Sequence, residues 1–142
     1  MKKADDDREV PAINQDWINS LVREAKKAMR NARAPYSAFR VGASLMTRTG
    51  DIYTGCNIEN PSLMLSICAE KVALTKALSE GEKKFRAMAV VCEQQEYCFP
   101  CGSCRQIIRE FAQDIDIFLI GKGGIRKYSL DELLPFPFSK HP

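Results

Sequence analysis

The residues of this chain best suited to chemistry are three cysteines and a glutamate. They lie in Cys68-Ala69-Glu70 and, thirty-three positions further on, in Pro100-Cys101-Gly102-Ser103-Cys104. Three protein ligands leave a tetrahedral zinc ion one open position, which water can take. A water held there is acidified toward neutral pH and becomes a nucleophile. A carboxylate two residues from the first ligand, and not itself a ligand, is placed to move protons. The pattern reads as a three-thiolate zinc site, with Cys68, Cys101 and Cys104 as ligands and Glu70 as the acid–base group.

Other readings compete with this one. Cys101-Gly102-Ser103-Cys104 alone is a weak signal and matches a redox pair at a helix start. Such a pair uses neither Cys68 nor Glu70, and it normally follows the first strand of its fold. A purely structural zinc site is a second rival, with Cys92 or Cys98 as the fourth sulfur. The better reading of Cys56, Cys92 and Cys98 is as small, buried, inert residues. The chain has one histidine, His141, next to last. A metal site in the body of the protein must therefore draw mainly on sulfur or carboxylate.

The elements that position these residues follow from periodicity. Trp17, Leu21, Ala25 and Ala28 recur at three- and four-residue spacing, which predicts a helix over 16–31 with Asp16 as N-cap. Residues 31–37 read as a loop. Phe39, Val41, Ala43 and Leu45 alternate with Arg40, Gly42 and Ser44, predicting a strand. A turn at Thr49-Gly50-Asp51 leads into a returning strand over 52–58. Asn60-Pro61-Ser62 breaks the pattern. A helix follows over 67–79, ended by Gly81. A buried strand spans 87–92, a helix 102–111, a strand 115–120 and a short strand 126–129. A closing helical turn over 129–134 stops at Pro135.

Helix, hairpin and then alternating strands and helices predict an α/β fold, a three-layer α-β-α sandwich with a mixed five-stranded sheet. Both halves of the zinc site fall at helix starts. Free N–H groups and the positive dipole end there favour thiolate over thiol. Glu70, in a first turn, can lean its side chain back toward that end.

With 142 residues the chain fits one domain, expected over 16–142 behind a solvated tail over 1–15. A net charge of +3 is too mild for a nucleic-acid or membrane surface, so neither partner is expected. The first residues lack the apolar core of a signal peptide, and no apolar run approaches a membrane span. Cytoplasm is the expected compartment, where clustered cysteines more often bind metal than form disulfides.

From Tyr36 to Phe138 the chain resembles the small, homotetrameric cytidine deaminases. The segments that carry the resemblance begin with Tyr36-Ser37-Ala38-Phe39-Arg40-Val41-Gly42-Ala43 and Gly55-Cys56-Asn57-Ile58-Glu59-Asn60. Ile67-Cys68-Ala69-Glu70, Pro100-Cys101-Gly102-Ser103-Cys104-Arg105-Gln106 and Glu132-Leu133-Leu134-Pro135 follow in the same order. The resemblance implies that Cys68, Cys101 and Cys104 hold Zn²⁺ and that Glu70 shuttles protons while hydroxide attacks cytosine C4. It implies that Asn57 and Glu59 hold the ribose 3′-hydroxyl and that Phe39 packs on the pyrimidine. It places Ala69 at the substrate, Lys71 and Arg105 behind the ligands, and Phe138 over the base of a neighbouring subunit. Residues two apart on an extended segment share a face, so an Asn57–Glu59 pair facing a diol agrees with the residues themselves. Strand-end capping is the rival role for that pair, and core or interface packing for Phe39 and Phe138.

Two positions depart from the family pattern. Lys71 stands where the family usually has an arginine, keeping the charge but losing the planar fork that can temper the thiolates. Leu63 stands where a tyrosine is common, and it cannot donate that tyrosine's hydrogen bond. With Met64 it adds adaptable apolar volume, which points either to interface repacking or to a base with apolar substituents. The expected activity is deamination of cytidine and deoxycytidine. A modified or antibiotic cytosine nucleoside is the alternative substrate. An inactive zinc-stabilised binding module is the alternative outside enzymes. No basic stripe with interleaved aromatics suggests a polynucleotide substrate.

Overall fold

Helix α1 (Asp16–Met29) buries Ile18, Leu21, Val22, Ala25 and Met29 at helical spacing; Leu21 and Ala25 lie on the expected stripe, while Trp17 and Ala28 at its edge are only partly buried. This is a computed structural model that describes residues 16–140. The tail expected over 1–15 and His141 lie outside the described residues. Asp16 lies within the first turn, where its carboxylate meets the positive helix end.

Strands β1 (Val41–Thr47) and β2 (Ile52–Cys56) form the expected hairpin, joined by a turn with Gly50 at φ +98°. Helix α2 (Ala69–Ser79) follows, then β3 (Phe85–Cys92), α3 (Gly102–Phe111), β4 (Asp116–Gly121), β5 (Gly124–Ser129) and the short α4 (Leu130–Leu133). The sheet order is β2-β1-β3-β4-β5, antiparallel except for the parallel pair β3 and β4. The fold is thus the mixed five-stranded α-β-α sandwich. Among the described residues no helix is long and apolar enough to cross a membrane.

Each face of the sheet carries its own core. Met46, Ala87, Ala89, Val91, Phe118 and Ile120 pack under α1. Val41, Ala43, Leu45, Met88, Val90, Ile117 and Leu119 pack under α2, α3 and α4. The small residues between the large ones on β1 are therefore not a solvent face. Gly42 is where α1 presses on the strand, since a Cβ there would lie 2.1 Å from the Ala25 carbonyl oxygen. The Ser44 hydroxyl, also buried, donates to the Leu21 carbonyl at 2.6 Å.

Most element ends differ from expectation by one or two residues, α1 ending at Met29, β3 starting at Phe85 and β5 at Gly124, and three of the differences have a clear local reason. β1 begins at Val41 rather than Phe39 because the Asn57 side chain replaces a backbone partner. Its Nδ2 donates to the Phe39 carbonyl at 2.7 Å, and its Oδ1 accepts from the Val41 N–H at 2.9 Å. β2 ends at Cys56 because Ile58 pairs instead with Arg33 and Ile67. That pairing holds Ile67 in an extended conformation, so α2 begins two residues later than its sequence suggests. At its far end Gly81 (φ +92°) closes α2 in a Schellman turn, with Gly81 N–H on Leu78 and Glu82 N–H on Ala77. Leu63–Leu65 forms a single 3-10 turn that no periodicity announces.

Candidate metal centre

Two helix starts converge to build the site. Cys68 is the N-cap residue of α2 and Cys101 that of α3, both in extended conformation. Cys104 lies fully buried in the first turn of α3. What brings them together is the close approach of α2 to β2 at Gly55. A Cβ there would lie 2.4 Å from the Ala69 carbonyl oxygen and 2.6 Å from the Ala73 nitrogen. On the other side, Arg105 anchors the loop before Cys101. Its Nε donates to the Pro100 carbonyl and an Nη to the Leu133 carbonyl, each at 2.8 Å.

The Sγ atoms of Cys68, Cys101 and Cys104 all lie within 4.8 Å of one another. Cys68 and Cys101 sulfurs are 3.7 Å apart. Zinc–sulfur bonds of about 2.3 Å put sulfurs about 3.8 Å apart on a tetrahedron, so this donor set suits zinc. Cys101 Sγ also accepts the Cys104 backbone N–H at 3.5 Å, the kind of bond that holds charge on sulfur. No fourth metal-binding side chain belongs to the cluster among the described residues. Cys92 and Cys98 lie buried in the adjoining core.

Among the described residues Glu70 is the one buried carboxylate, 4% exposed. Its Oε2 accepts from Cys104 Sγ at 3.7 Å. Burial pushes its carboxyl up to about 7, and the charge of Cys68 adds to that rise. Cys68 moves the other way, down to about 6, held by hydrogen bonds from Cys104 and then Cys101, with the Lys71 charge assisting. Cys104, the donor to Cys68 and buried, is pushed up. The cluster thus favours one thiolate before any metal arrives, and it holds a carboxyl able to exchange a proton near neutral pH.

The remaining expected residues fall around this centre. Lys71 spans from α2 to α3, donating to Ser103 Oγ at 3.3 Å. Ala69 is buried as the first residue of α2. Glu59 Oε1 accepts the N–H groups of Tyr36 and Ser37 at 3.0 and 3.1 Å. Hydrogen bonds from Ser37, side chain and backbone, hold its carboxyl below the ordinary value. Phe39 is half-buried against the core under α2. Asn57 and Glu59 thus each do structural work on residues 36–41, the capping role that their sequence position also suggested. Phe138, 75% exposed, is clasped to α3: its N–H donates to Gln106 Oε1 at 3.3 Å and its carbonyl accepts from Gln106 Nε2 at 2.9 Å. Sequence reasoning assigned no role to Ser103, Gln106 or Gln94. Their contacts span 32 or more residues, and no local pattern signals such pairs.

Comparison with known proteins agrees with this geometry. The family described as "Cytidine and deoxycytidylate deaminase zinc-binding region" matches residues 15–120. A cytidine deaminase of Sporosarcina psychrophila is 44% identical over 125 residues, covering 87% of this chain and 92% of the relative. A probable cytidine deaminase of Dictyostelium discoideum is 40% identical over 129 residues, covering 90% and 88%. Among solved structures, the cytidine deaminase of Burkholderia pseudomallei superposes with a TM-score of 0.81 at 42% identity, covering 84% of this chain and 98% of that one. With a matched segment that holds both helix starts, all three sulfurs and Glu70, the chain belongs to the cytidine and deoxycytidylate deaminase family.

Proposed function

We propose that this protein hydrolyses cytidine and deoxycytidine to uridine and deoxyuridine with release of ammonia, using Zn²⁺ held by Cys68, Cys101 and Cys104. The observation that carries the reading is the buried Glu70 carboxyl, whose Oε2 lies 3.7 Å from Cys104 Sγ in a three-sulfur cluster that has no fourth side chain among the described residues. When bound, zinc supplies the Lewis acidity that lets water act as a nucleophile near neutral pH. Glu70 takes the proton of the attacking water on a carboxylate oxygen as the C4–O bond forms. It gives that proton to N3, then passes the hydroxyl proton to the exocyclic amine, which leaves as ammonia.

The same residues define the sugar side. One Asn57 amide hydrogen remains after the bond to Phe39, and Glu59 Oε1 is already committed to Tyr36 and Ser37. The second Glu59 oxygen and that amide hydrogen bind the ribose 3′-hydroxyl, and Phe39 packs on the pyrimidine. Ala69 lies at the substrate, and Lys71 and Arg105 steady the ligands from behind. Neighbouring copies complete the site in a homotetramer. The exposure of Leu63, Met64, Leu65, Phe136 and Phe138 supports a covered surface there. The protein works in the cytoplasm, where its thiols stay reduced.

The test is a substrate panel of cytidine, deoxycytidine and substituted cytosine nucleosides, with zinc, ammonia and uridine-type product measured together. One ammonia per product at stoichiometric zinc is the expected result. Zinc without turnover on any nucleoside would point to a binding module. Absence of zinc with a titratable dithiol would point to redox chemistry.

A further inference from the structure

Among the described residues, Ala38 is the one non-glycine residue with positive φ, at 55°. An L-residue with a Cβ is disfavoured there, so something outside its own peptide must hold it. The turn around it is fixed almost group by group. Glu59 Oε1 takes the N–H groups of Tyr36 and Ser37. Ala38 N–H donates to the Ala34 carbonyl at 3.0 Å, Phe39 N–H to Ser37 Oγ at 3.0 Å, and Asn57 takes the Phe39 carbonyl. The Ala38 carbonyl is taken by Gln94 Nε2 at 2.6 Å, across 56 residues.

Gln94 belongs to the loop joining β3 to Cys101. That loop has other anchors. Lys122 and Gly123 N–H groups donate to the Gln95 and Glu96 carbonyls, each at 3.0 Å. Tyr97 Oη donates to the Gly123 carbonyl at 2.7 Å, and the Arg126 guanidinium lies 4.2 Å over the Tyr97 ring. Arg105 holds Pro100. The metal side of the loop is therefore braced without Gln94, whereas at the left-handed Ala38 it is Gln94 that holds the carbonyl, with Ala34 holding only the N–H.

From this geometry we infer that Gln94 is a positioning residue for nucleoside binding. It locks Ala38 in the left-handed conformation and so sets Phe39 against the substrate. The inference rests on the nucleoside reading above. Loss of the amide lowers the fraction of molecules whose turn is competent to bind, which weakens apparent affinity without touching the proton chemistry at Glu70. The predicted signature is a KM effect.

The experiment compares the zinc-loaded wild type with Gln94→Ala, Ala38→Gly and the double variant. Gln94→Ala raises KM for cytidine about fivefold with kcat within about twofold, a change equal to about 1 kcal/mol, the scale of one hydrogen bond. Glycine adopts positive φ without strain. Adding Ala38→Gly to Gln94→Ala therefore returns KM to within about twofold of wild type. Hydrogen exchange at residues 36–41 quickens in Gln94→Ala, whatever nucleoside the enzyme prefers. An unchanged KM, a loss confined to kcat, or no rescue by Ala38→Gly overturns the inference. Should the wild type deaminate no nucleoside, the functional reading falls. The exchange data then decide the role of Gln94 alone, with unchanged exchange refuting it.

Discussion

Replacing Glu70 by glutamine removes the charge and keeps the shape, so it isolates what burial does to this carboxyl. In the fold the group is 4% exposed and moves from an ordinary value of 4.5 up to about 7. Each pH unit of that rise corresponds to about 1.4 kcal/mol, which makes the full effect ~3 kcal/mol. The sign follows from which form the fold prefers. A raised carboxyl value means that the folded state favours the neutral acid. Its contribution is fully present below about pH 4.5 and is lost as pH climbs through about 7. Glutamine cannot ionise and keeps that stability throughout. In metal-free, reduced protein, Glu70→Gln and wild type are therefore expected to unfold at similar urea concentrations at pH 4.5. At pH 8 the variant is more stable by ~3 kcal/mol, roughly 1–2 M urea in midpoint for a domain of this size. The opposite trend from Cys68, whose thiol is held down at about 6, is present in both proteins and largely cancels in the difference. Zinc-loaded Glu70→Gln should keep its metal but lose about 10²–10⁴-fold in turnover, the scale of general acid–base catalysis. Equal pH dependence in the two proteins would refute the burial argument, and near-normal deamination would remove Glu70 from proton transfer.

Other outcomes test the positioning of the site. Gly55→Ala puts a Cβ 2.4 Å from the Ala69 carbonyl oxygen, which only a shift of α2 can relieve. It should cost ~2 kcal/mol or more and lower Tm by about 6 °C in a calorimetric scan, weakening metal retention as Cys68 moves. Cys104→Ser should release metal on dialysis against a chelator, while Cys98→Ala, at a sulfur outside the cluster, should retain it. Ser129→Ala deletes the hydroxyl that accepts the Glu132 N–H at 3.2 Å in the capping box of α4, and should cost about 1 kcal/mol in urea unfolding.

The layers of this fold were readable because hydrophobic spacing is local. The α1 stripe residues Leu21 and Ala25 emerge from three- and four-residue repeats alone, and α3 spans the range expected for it. The cysteine spacing, placed at two helix starts, also carried the metal cluster. What stayed hidden depends on groups far apart in the chain. Asn57 ends the β1 pairing early through its side chain, and Glu59 reaches back to Tyr36 and Ser37. Neither effect leaves a periodic trace. Gly42 and Ser44 looked like the polar half of an alternating strand because small and polar residues read alike. Only the packing of α1 on that face shows them buried.

Zinc K-edge X-ray absorption on the metal-loaded protein tests the central claim most directly. The account predicts three sulfur scatterers at about 2.3 Å and one light oxygen atom at about 2.0 Å, the open corner beside Glu70. Four sulfurs, or a fourth protein side chain in that corner, would contradict it.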